Sequence, residues 1–335
     1  MIDVRFNGGS IHLPELGLWL DAQSRQSGHE RVFVSHAHTD HLGAHREVLL
    51  SPPTAALMRH RLKGKRQERV LEFGAPADFR FGTRTYRVTL WPAGHILGSA
   101  MIHLEAGGSS LLYTGDFKLR PGYAAEGCAP CQAEVLIMET TFGRPAYRFP
   151  PREQTAAAIH AFCRQQLADG KAPVLLAYSL GKSQELLKVL AAQSEFIWLH
   201  EETWKITRIY EHFGHQFPPY AKRLEPSGDL GITVWPPHRH REALGWFPGR
   251  VATAVVSGWA MDASCRYRFG SDAAFPLSDH ADFDELLELV RQAAPRKIYT
   301  VHGYAADFAQ TLRDLDYDAH ALSEPDQLGL KLGLP

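Results

Sequence analysis

The feature that most constrains this sequence is a six-residue segment at 36–41, which contains three histidines and an aspartate and follows the apolar segment 32–35. Alternate side chains of an extended segment point to the same side, so His36 and His38 can converge on one cation. Once the chain turns, Asp40 and His41 can face a second cation nearby. Imidazole and carboxylate ligands suit zinc, manganese or iron. The segment therefore predicts a metal site at the end of a buried strand.

Further donors are needed because four side chains cannot saturate two metal ions. The best candidates lie at strand ends or beside small or acidic residues, and they are His95, Asp116, His280 and His302. A carboxylate such as Asp116, after the apolar segment 111–114, can bridge two cations about 3.5–4 Å apart. We interpret the remaining twelve of the 18 histidines as surface or core residues.

Composition indicates a soluble enzyme of about two domains. The chain has 335 residues, of which 44% are hydrophobic and 22% charged, and it contains only four cysteines. Few cysteines favour a reducing compartment, and we interpret Cys128 and Cys131 as free buried thiols rather than a zinc site. No window approaches the roughly 20 apolar residues of a membrane span, so we expect a cytoplasmic protein without a membrane partner. The net charge of −1 excludes a wholly basic polyanion binder, although bound cations would add local positive charge.

The order of apolar segments predicts an α/β protein in which one domain interrupts another. Short strands and turns fill the first third, and from about residue 150 strands alternate with helices. Predicted helices cover 151–168, a stretch ending near 193, 283–293 and about 306–315. Predicted strands cover 173–178, 195–199, 232–235, 251–257 and 297–301. The segment 214–250 is rich in Pro, Gly and His, and it predicts a loop with the single short strand 232–235.

In combination these residues resemble the metallo-β-lactamase superfamily. The segment 36–41 matches its H-x-H-x-D-H signature, His95 its later histidine and Asp116 its bridging aspartate. Asp21, after the apolar residues 18–20, resembles the first aspartate of the superfamily. That aspartate supports the metal ligands and does not itself bind the metal. Within the superfamily the chain resembles the β-CASP nucleases, and the residues that match their three additional motifs are Glu139, His280 and His302.

The resemblance implies a fold and a set of roles. The fold is an αββα metallo-β-lactamase sandwich, formed by 1–147 and 272–335, around an inserted α/β β-CASP domain at 148–271. The cofactors would be two divalent ions, zinc or manganese. The implied ligands are His36, His38 and His95 for one ion, Asp40, His41 and His302 for the other, and Asp116 for both. Asp40, His280 and Glu139 are the implied catalytic residues, with Glu139 orienting His280.

The segment 177–182 is similar to one in Artemis/Apollo-type DNA crosslink-repair nucleases, and the compact length resembles bacterial ligase-associated DNA exonucleases. This implies digestion of a DNA single strand or duplex end, with a functional link to an ATP-dependent DNA ligase; the direction, 5′ to 3′, is predicted from the junction at 179–182. Ser179, Gly181 and Lys182 lie at a predicted strand–turn–helix junction, where free N–H groups and a positive helix end favour an anion. These three residues therefore predict a pocket for a 5′-phosphate.

Two other functions stay open. DNA-acting eukaryotic members usually carry valine where this chain has His302, which is the residue typical of RNA-acting members, so a β-CASP ribonuclease is the alternative. A small-molecule hydrolase is disfavoured because small substrates do not require a large inserted domain. A non-catalytic binding module is disfavoured most strongly, since every expected metal ligand is present.

Overall fold

The computed structural model describes residues 2–7, 9–26, 28–193, 195–223, 230–246 and 250–322. The described residues divide into two compact units, the first formed by 2–147 and 280–322, and the second by 148–279. The segment 272–279 therefore falls in the second unit in this division. The glycine pair at 8–9 predicts a hairpin turn, and residue 8 lies outside the described ranges.

The described residues form strands and helices that we number in chain order. The strands are β1 (Arg5–Asn7), β2 (Ser10–Leu13), β3 (Leu18–Leu20), β4 (Arg31–Phe33), β5 (Glu47–Leu50), β6 (Gln67–Val70), β7 (Ala77–Phe81), β8 (Arg84–Pro92), β9 (Ala100–Ala106), β10 (Ser109–Tyr113), β11 (Val135–Glu139), β12 (Ala172–Leu176), β13 (Ile197–Leu199), β14 (Tyr220–Lys222), β15 (Ile232–Trp235), β16 (Val251–Val256), β17 (Ala273–Phe275), β18 (Lys297–Val301) and β19 (Ala319–Ala321). The helices are α1 (Pro52–Arg61), α2 (Arg152–Ala168), α3 (Lys182–Leu190), α4 (Glu201–His212), α5 (His240–Trp246), α6 (Cys265–Arg268), α7 (Phe283–Ala293) and α8 (Ala305–Asp314).

The first unit consists of four layers, namely two sheets packed face to face and a helical layer on the outer face of each sheet. Strands β1 to β6 form one sheet in chain order, and the other has the order β19-β18-β11-β10-β9-β8-β7. Alternation along β4 explains the layers: Phe33 faces the core between the sheets, whereas Val32 and Val34 pack toward Ala55 and Met58 of α1. The outer face of the second sheet packs against α7 and α8. The predicted α/β class is thereby confirmed, with helix, sheet, sheet and helix in succession.

The second unit contains a parallel sheet with helices on both faces. Its strand order is β14-β13-β15-β12-β16-β17, and every neighbouring pair is parallel. Residues of β12 are buried on both sides: Leu175 packs with α2 and α3, while Val174 and Leu176 pack with α5 and α6. Strands buried in this way are near-continuous apolar runs, as the sequence of β12 is.

The prediction for 214–250 was wrong in part, because β14 and α5 also lie there. Strand β14 has only three residues, and its pairing with β13, not its own composition, gives it strand geometry. Helix α5 is anchored by the buried Ala243. Tertiary contacts of this kind override the weak local preferences that composition reports. The second predicted helix ends at Leu190 rather than near residue 193. Over the described residues, the structure has no helix with the length and apolar character to cross a membrane.

Candidate metal centre

The segment 36–41 leaves the end of β4 and brings its first two histidines against a third from a distant loop. His36 Nε2 lies 3.0 Å from His38 Nδ1, and His38 Nδ1 lies 3.1 Å from His95 Nε2. Asp116, at the end of β10, places Oδ2 3.4 Å from His36 Nε2. Candidate ligand atoms of His36, His38, His95 and Asp116 all lie within 4.8 Å of one another. Three imidazoles and a carboxylate at this spacing fit a tetrahedral divalent cation.

A second group of donors shares one oxygen atom, Asp116 Oδ2, with the first group. Asp116 Oδ2 is also 3.4 Å from His41 Nε2, which in turn is 3.9 Å from Asp40 Oδ2. The His302 ring, at the end of β18, is 5.6 Å from the His41 ring between centroids. Asp40 and His302 are both exposed. Asp116 Oδ2 is therefore the atom that a bridging carboxylate would use, between a buried donor set and a solvent-facing one.

Asp21 supports the metal-binding segment from the buried side. Its Oδ1 accepts a hydrogen bond from the Ser35 amide at 2.7 Å. Its Oδ2 accepts from Ser35 Oγ at 2.6 Å, from His41 Nδ1 at 2.8 Å and from Tyr113 Oη at 2.8 Å. A carboxylate on the far nitrogen of a histidine fixes the ring orientation and leaves the other nitrogen for a metal. Sequence reasoning missed Tyr113, whose only signal was its place at the end of the strand that precedes Asp116.

The electrostatics of the cluster favour the metal-binding forms of His36 and Asp116, and they favour a positive charge, from a proton or a cation, beside His41. Burial lowers the pKa of His36 well below its usual value, and the neighbouring His41 lowers it further. Burial alone would raise the pKa of Asp116, but His41 and His280 outweigh it and hold that pKa well below normal. Burial alone would lower the pKa of His41, but Asp116 and Asp21 hold it well above normal. An ionised Asp116 and a neutral His36 are the forms that coordinate a metal.

His280 and Glu139 form a pair beside the cluster. Glu139 Oε1 accepts a hydrogen bond from His280 Nδ1 at 2.9 Å and another from the Phe117 amide at 2.9 Å. Glu139 Oε2 accepts from the Thr141 amide at 3.2 Å. The His280 ring lies 4.5 Å from the His95 ring between centroids. Asp116, Glu139 and His280 also lie close enough to hold a cation. His280 could therefore act either as a metal ligand or as the catalytic residue that Glu139 orients.

Arg61 is a further contact of the metal-binding segment that sequence reasoning missed. From the last turn of α1 its Nη1 donates to the Ala37 carbonyl at 2.9 Å, and its Nη2 donates to Thr39 Oγ1 at 2.9 Å. These bonds hold the backbone between His36 and His38 and the turn before Asp40. From the sequence, the basic segment 59–66 indicated only a charged surface. Nothing in the local sequence shows which of its arginines contacts the metal-binding segment.

The three residues predicted to bind a phosphate lie together before and at the start of α3. Gly181 has a φ of 85°, and its amide donates to Gln184 Oε1 at 2.8 Å. Lys182 is buried, and its Nζ donates to Asp279 Oδ1 at 2.6 Å. Ser179 Oγ accepts a bond from Thr203 Oγ1 at 3.3 Å. These groups have intramolecular partners with which an anion would compete, so the phosphate pocket stays a prediction.

Cys128 and Cys131 are free thiols that pack against the core beside α7. Burial raises the pKa of Cys128 to about 12 and that of Cys131 to about 11. Both therefore stay protonated at neutral pH, and no metal-binding group among the described residues includes either of them.

Known proteins match the chain in sequence and in fold. Residues 273–322 match a family model described as the Zn-dependent metallo-hydrolase RNA specificity domain. A protein of Opitutus terrae named "Probable DNA ligase" is 50% identical over 98% of this chain and 32% of its own length. The "5' exonuclease Apollo" of Danio rerio is 25% identical over 90% of this chain and 53% of its own. An "RNase J-like protein" of Methanocaldococcus jannaschii is 30% identical over 48% of this chain and 43% of its own.

The chain thus spans about a third to a half of the relatives named above. A crystal structure of a protein of unknown function from Enterococcus faecalis matches 83% of this chain and 76% of its own. Its TM-score is 0.56 at 15% identity, which supports the fold alone.

The layered first unit and the cluster of histidines around Asp116 define a metallo-hydrolase of the metallo-β-lactamase type. Within that superfamily the chain resembles the β-CASP nucleases of the Artemis and Apollo type.

Proposed function

We propose that this protein is a two-metal phosphodiesterase that digests DNA from a 5′ end, in the processing of DNA ends before ligation. The observation that carries the proposal is the position of Asp116 Oδ2, 3.4 Å from both His36 and His41. An oxygen shared by two donor sets could bridge two cations about 3.5–4 Å apart, which is the spacing of two-metal sites that hydrolyse phosphodiesters. The relatives named as a DNA ligase and as a 5′ exonuclease support DNA as the substrate.

The donor atoms fit the implied ions in number and type. His36, His38 and His95 would hold one ion, Asp40, His41 and His302 the other, and Asp116 both. When bound, two divalent ions neutralise charge on the phosphate oxygens and lower the pKa of a water toward about 7. Asp21 keeps His41 oriented, because its Oδ2 accepts a hydrogen bond from His41 Nδ1, and Tyr113 Oη donates to that same oxygen.

His280 is proposed to contact the scissile phosphate or to give a proton to the leaving oxygen. Its Nδ1 donates to Glu139, which orients the ring, and Nε2 is the nitrogen that we propose contacts the substrate. In its protonated form His280 would carry a transferable proton on Nε2. Two backbone amides hold Glu139 in turn, which limits its own rotation.

The direction of digestion, from the 5′ end, is proposed to arise from Ser179, Gly181 and Lys182. A terminal phosphate bound there would share Lys182 with Asp279 and add charge-assisted hydrogen bonds from Ser179 and the backbone. Because a pocket of this kind would hold a strand by its terminal phosphate, we infer that digestion begins at a strand end.

A ribonuclease is the second candidate, and His302 favours it as the residue typical of RNA-acting members. The family model described as an RNA specificity domain and the RNase J-like relative support it as well.

One assay tests both candidates. Oligonucleotides labelled at the 3′ end, with a 5′-phosphate or a 5′-hydroxyl, are prepared as DNA and as RNA and digested in zinc or manganese. We expect DNA to be shortened from the 5′ end, the phosphorylated form fastest, and Lys182→Ala to remove that preference. Faster turnover of RNA would favour the ribonuclease, and shortening from the 3′ end or indifference to the 5′ group would overturn the pocket.

A further inference from the structure

The second unit contains a cleft between α4 and the segment that leads into the edge strand β14. Helix α4 contributes Trp204, Arg208 and Glu211 to its walls, and the segment 217–220 contributes the rest. That segment reads Phe-Pro-Pro-Tyr, so ring side chains form most of the lining. The cleft has a volume of about 340 Å³, at the lower end of the roughly 300–1,000 Å³ of small-ligand sites.

Cationic side chains lie over two of these rings. Lys222 Nζ is 5.6 Å from the centre of the Trp204 ring, and Lys188 Nζ is 5.1 Å from the centre of the Phe217 ring. Both distances are within the range of attractive cation–π contacts. The two lysines come from β14 and α3, so separate elements place positive charge around the same aromatic surface.

The acidic groups around the cleft are neutralised by their neighbours. Glu211 accepts a hydrogen bond from Tyr220 Oη at 2.7 Å and pairs with Arg208. Glu201 pairs with Lys205 at 3.0 Å and lies 3.8 Å from Lys222. Among these described side chains, four cations therefore accompany two carboxylates.

We propose that this cleft binds a nucleobase of a single-stranded nucleic acid, with the strand's phosphates beside Lys222 and Lys188. The inference rests on the proposed function and extends it, because it assigns a binding site for the strand to the second unit. Aromatic platforms flanked by basic side chains are the means by which proteins hold single strands without reading sequence. A polymer that alternates flat rings with anionic phosphates matches both the rings and the surplus of positive charge.

Photo-crosslinking tests the site without turnover. The full chain is mixed in EDTA with a single-stranded oligonucleotide that carries 5-iodo-2′-deoxyuridine, irradiated, digested and mapped by mass spectrometry. We expect crosslinks on peptides that contain Trp204 or Tyr220. Crosslinks confined to other parts of the chain would overturn the proposal.

Affinity measurements separate ring stacking from charge. In EDTA, Trp204→Ala should weaken binding of the oligonucleotide about tenfold, as the loss of one stacked base does. Lys222→Glu keeps the ring and should weaken binding to a similar degree, with a smaller dependence on salt. The matched control is Tyr267→Ala, which removes a 70% exposed ring that also carries an arginine, 4.5 Å from its centre, outside the cleft. Unchanged affinity in both cleft variants, or an equal loss in the control, would contradict the site.

The outcome is separable from that of the proposed function. Normal digestion of oligonucleotides in manganese with no crosslink at the cleft would reject this site and leave the nuclease intact. Crosslinks at the cleft in a protein that digests no nucleic acid would reject the nuclease and retain the binding site.

Discussion

Glu139 is the side chain that holds His280, and the two are expected to differ in their effects on catalysis. His280→Ala should reduce turnover by roughly 10²–10⁴-fold, the usual loss of a proton donor. Glu139→Ala should cost less, about 10–100-fold, because it removes only the orienting partner. Glu139→Gln preserves the side-chain volume and serves as the control for packing.

Metal analysis by mass spectrometry decides what the His280 variant has lost. We expect full metal content in both alanine variants, since neither residue belongs to the proposed ligand set. The loss of a cation from His280→Ala would show that this histidine is a ligand, as its closeness to Asp116 also allows.

Arg61 is expected to strengthen metal binding through the backbone it holds. Its two hydrogen bonds to the metal-binding segment are each worth about 0.5–1.5 kcal/mol, so Arg61→Ala should raise the metal dissociation constant about tenfold. The matched control is Arg59→Ala on the same helix, which breaks an exposed pair with Glu68 and should leave metal affinity unchanged. Competition with a chromophoric chelator gives both constants. Equal effects of the two substitutions would rule out a specific role for Arg61.

At the scale of elements, the junction after β10 depends on a glycine. Gly115 has a φ of +53°, and an added Cβ would lie 2.5 Å from Ser35 Cβ. Gly115→Ala should therefore destabilise the fold by about 1–3 kcal/mol and weaken metal binding, because Asp116 follows directly. Gly107 has a φ of +57° with open space around it, so Gly107→Ala isolates the backbone cost and should spare the metal site. Thermal unfolding with and without zinc measures both effects, and a normal metal response in Gly115→Ala would contradict the expectation.

The same elements show what the sequence could predict. Helix α7 and strand β18 have the predicted bounds, because strong apolar periodicity and the capping pair Asp282 and Glu285 are local signals. Strand β14 and helix α5 were not predictable, since partners elsewhere in the second unit stabilise them.

Within the site, the histidines and the aspartate of the segment 36–41 were predictable as candidate metal ligands, because they lie close together in the sequence after an apolar segment. Tyr113 and Arg61 were not, because their roles depend on which strand and helix pack beside the metal-binding segment. Lys182 was expected to offer a charge to a phosphate, and its burial with Asp279 could not be foreseen from local sequence.

At the scale of the whole molecule, Glu126 gives stability a dependence on pH. Burial raises the pKa of Glu126, although the Gly98 amide donates a hydrogen bond to it. A raised carboxyl pKa means that the folded state binds the proton more tightly than the unfolded state, so stability falls as pH rises from the unfolded pKa through the folded one. Wild type should therefore gain stability relative to Glu126→Gln when the pH is lowered from neutral toward about 4.5, a typical carboxyl pKa.

Melting temperatures of wild type and Glu126→Gln across that range give the difference directly. The other titratable groups are the same in the two proteins, so their contributions to the pH dependence of stability cancel in the difference. A wild type that loses stability relative to the variant on acidification would contradict the raised pKa.

Asp40 and His41 belong to the proposed metal centre, and neither is part of the hydrophobic cores of the described residues. Asp40→Ala and His41→Ala should therefore abolish nuclease activity, with a fall of roughly 10³-fold or more, while circular dichroism remains that of the folded protein. Full activity with unchanged metal content in either variant would remove the proposed centre.

The central claim is that two divalent ions at this centre support cleavage of a phosphodiester. The most direct test is a titration of metal-free protein with manganese, in which cleavage of a 5′-phosphorylated DNA oligonucleotide is followed against ions added per chain. The account predicts no cleavage without metal, a rise with each addition and a break at two ions per chain. Cleavage that persists in the metal-free protein, or a break at one ion, would contradict it.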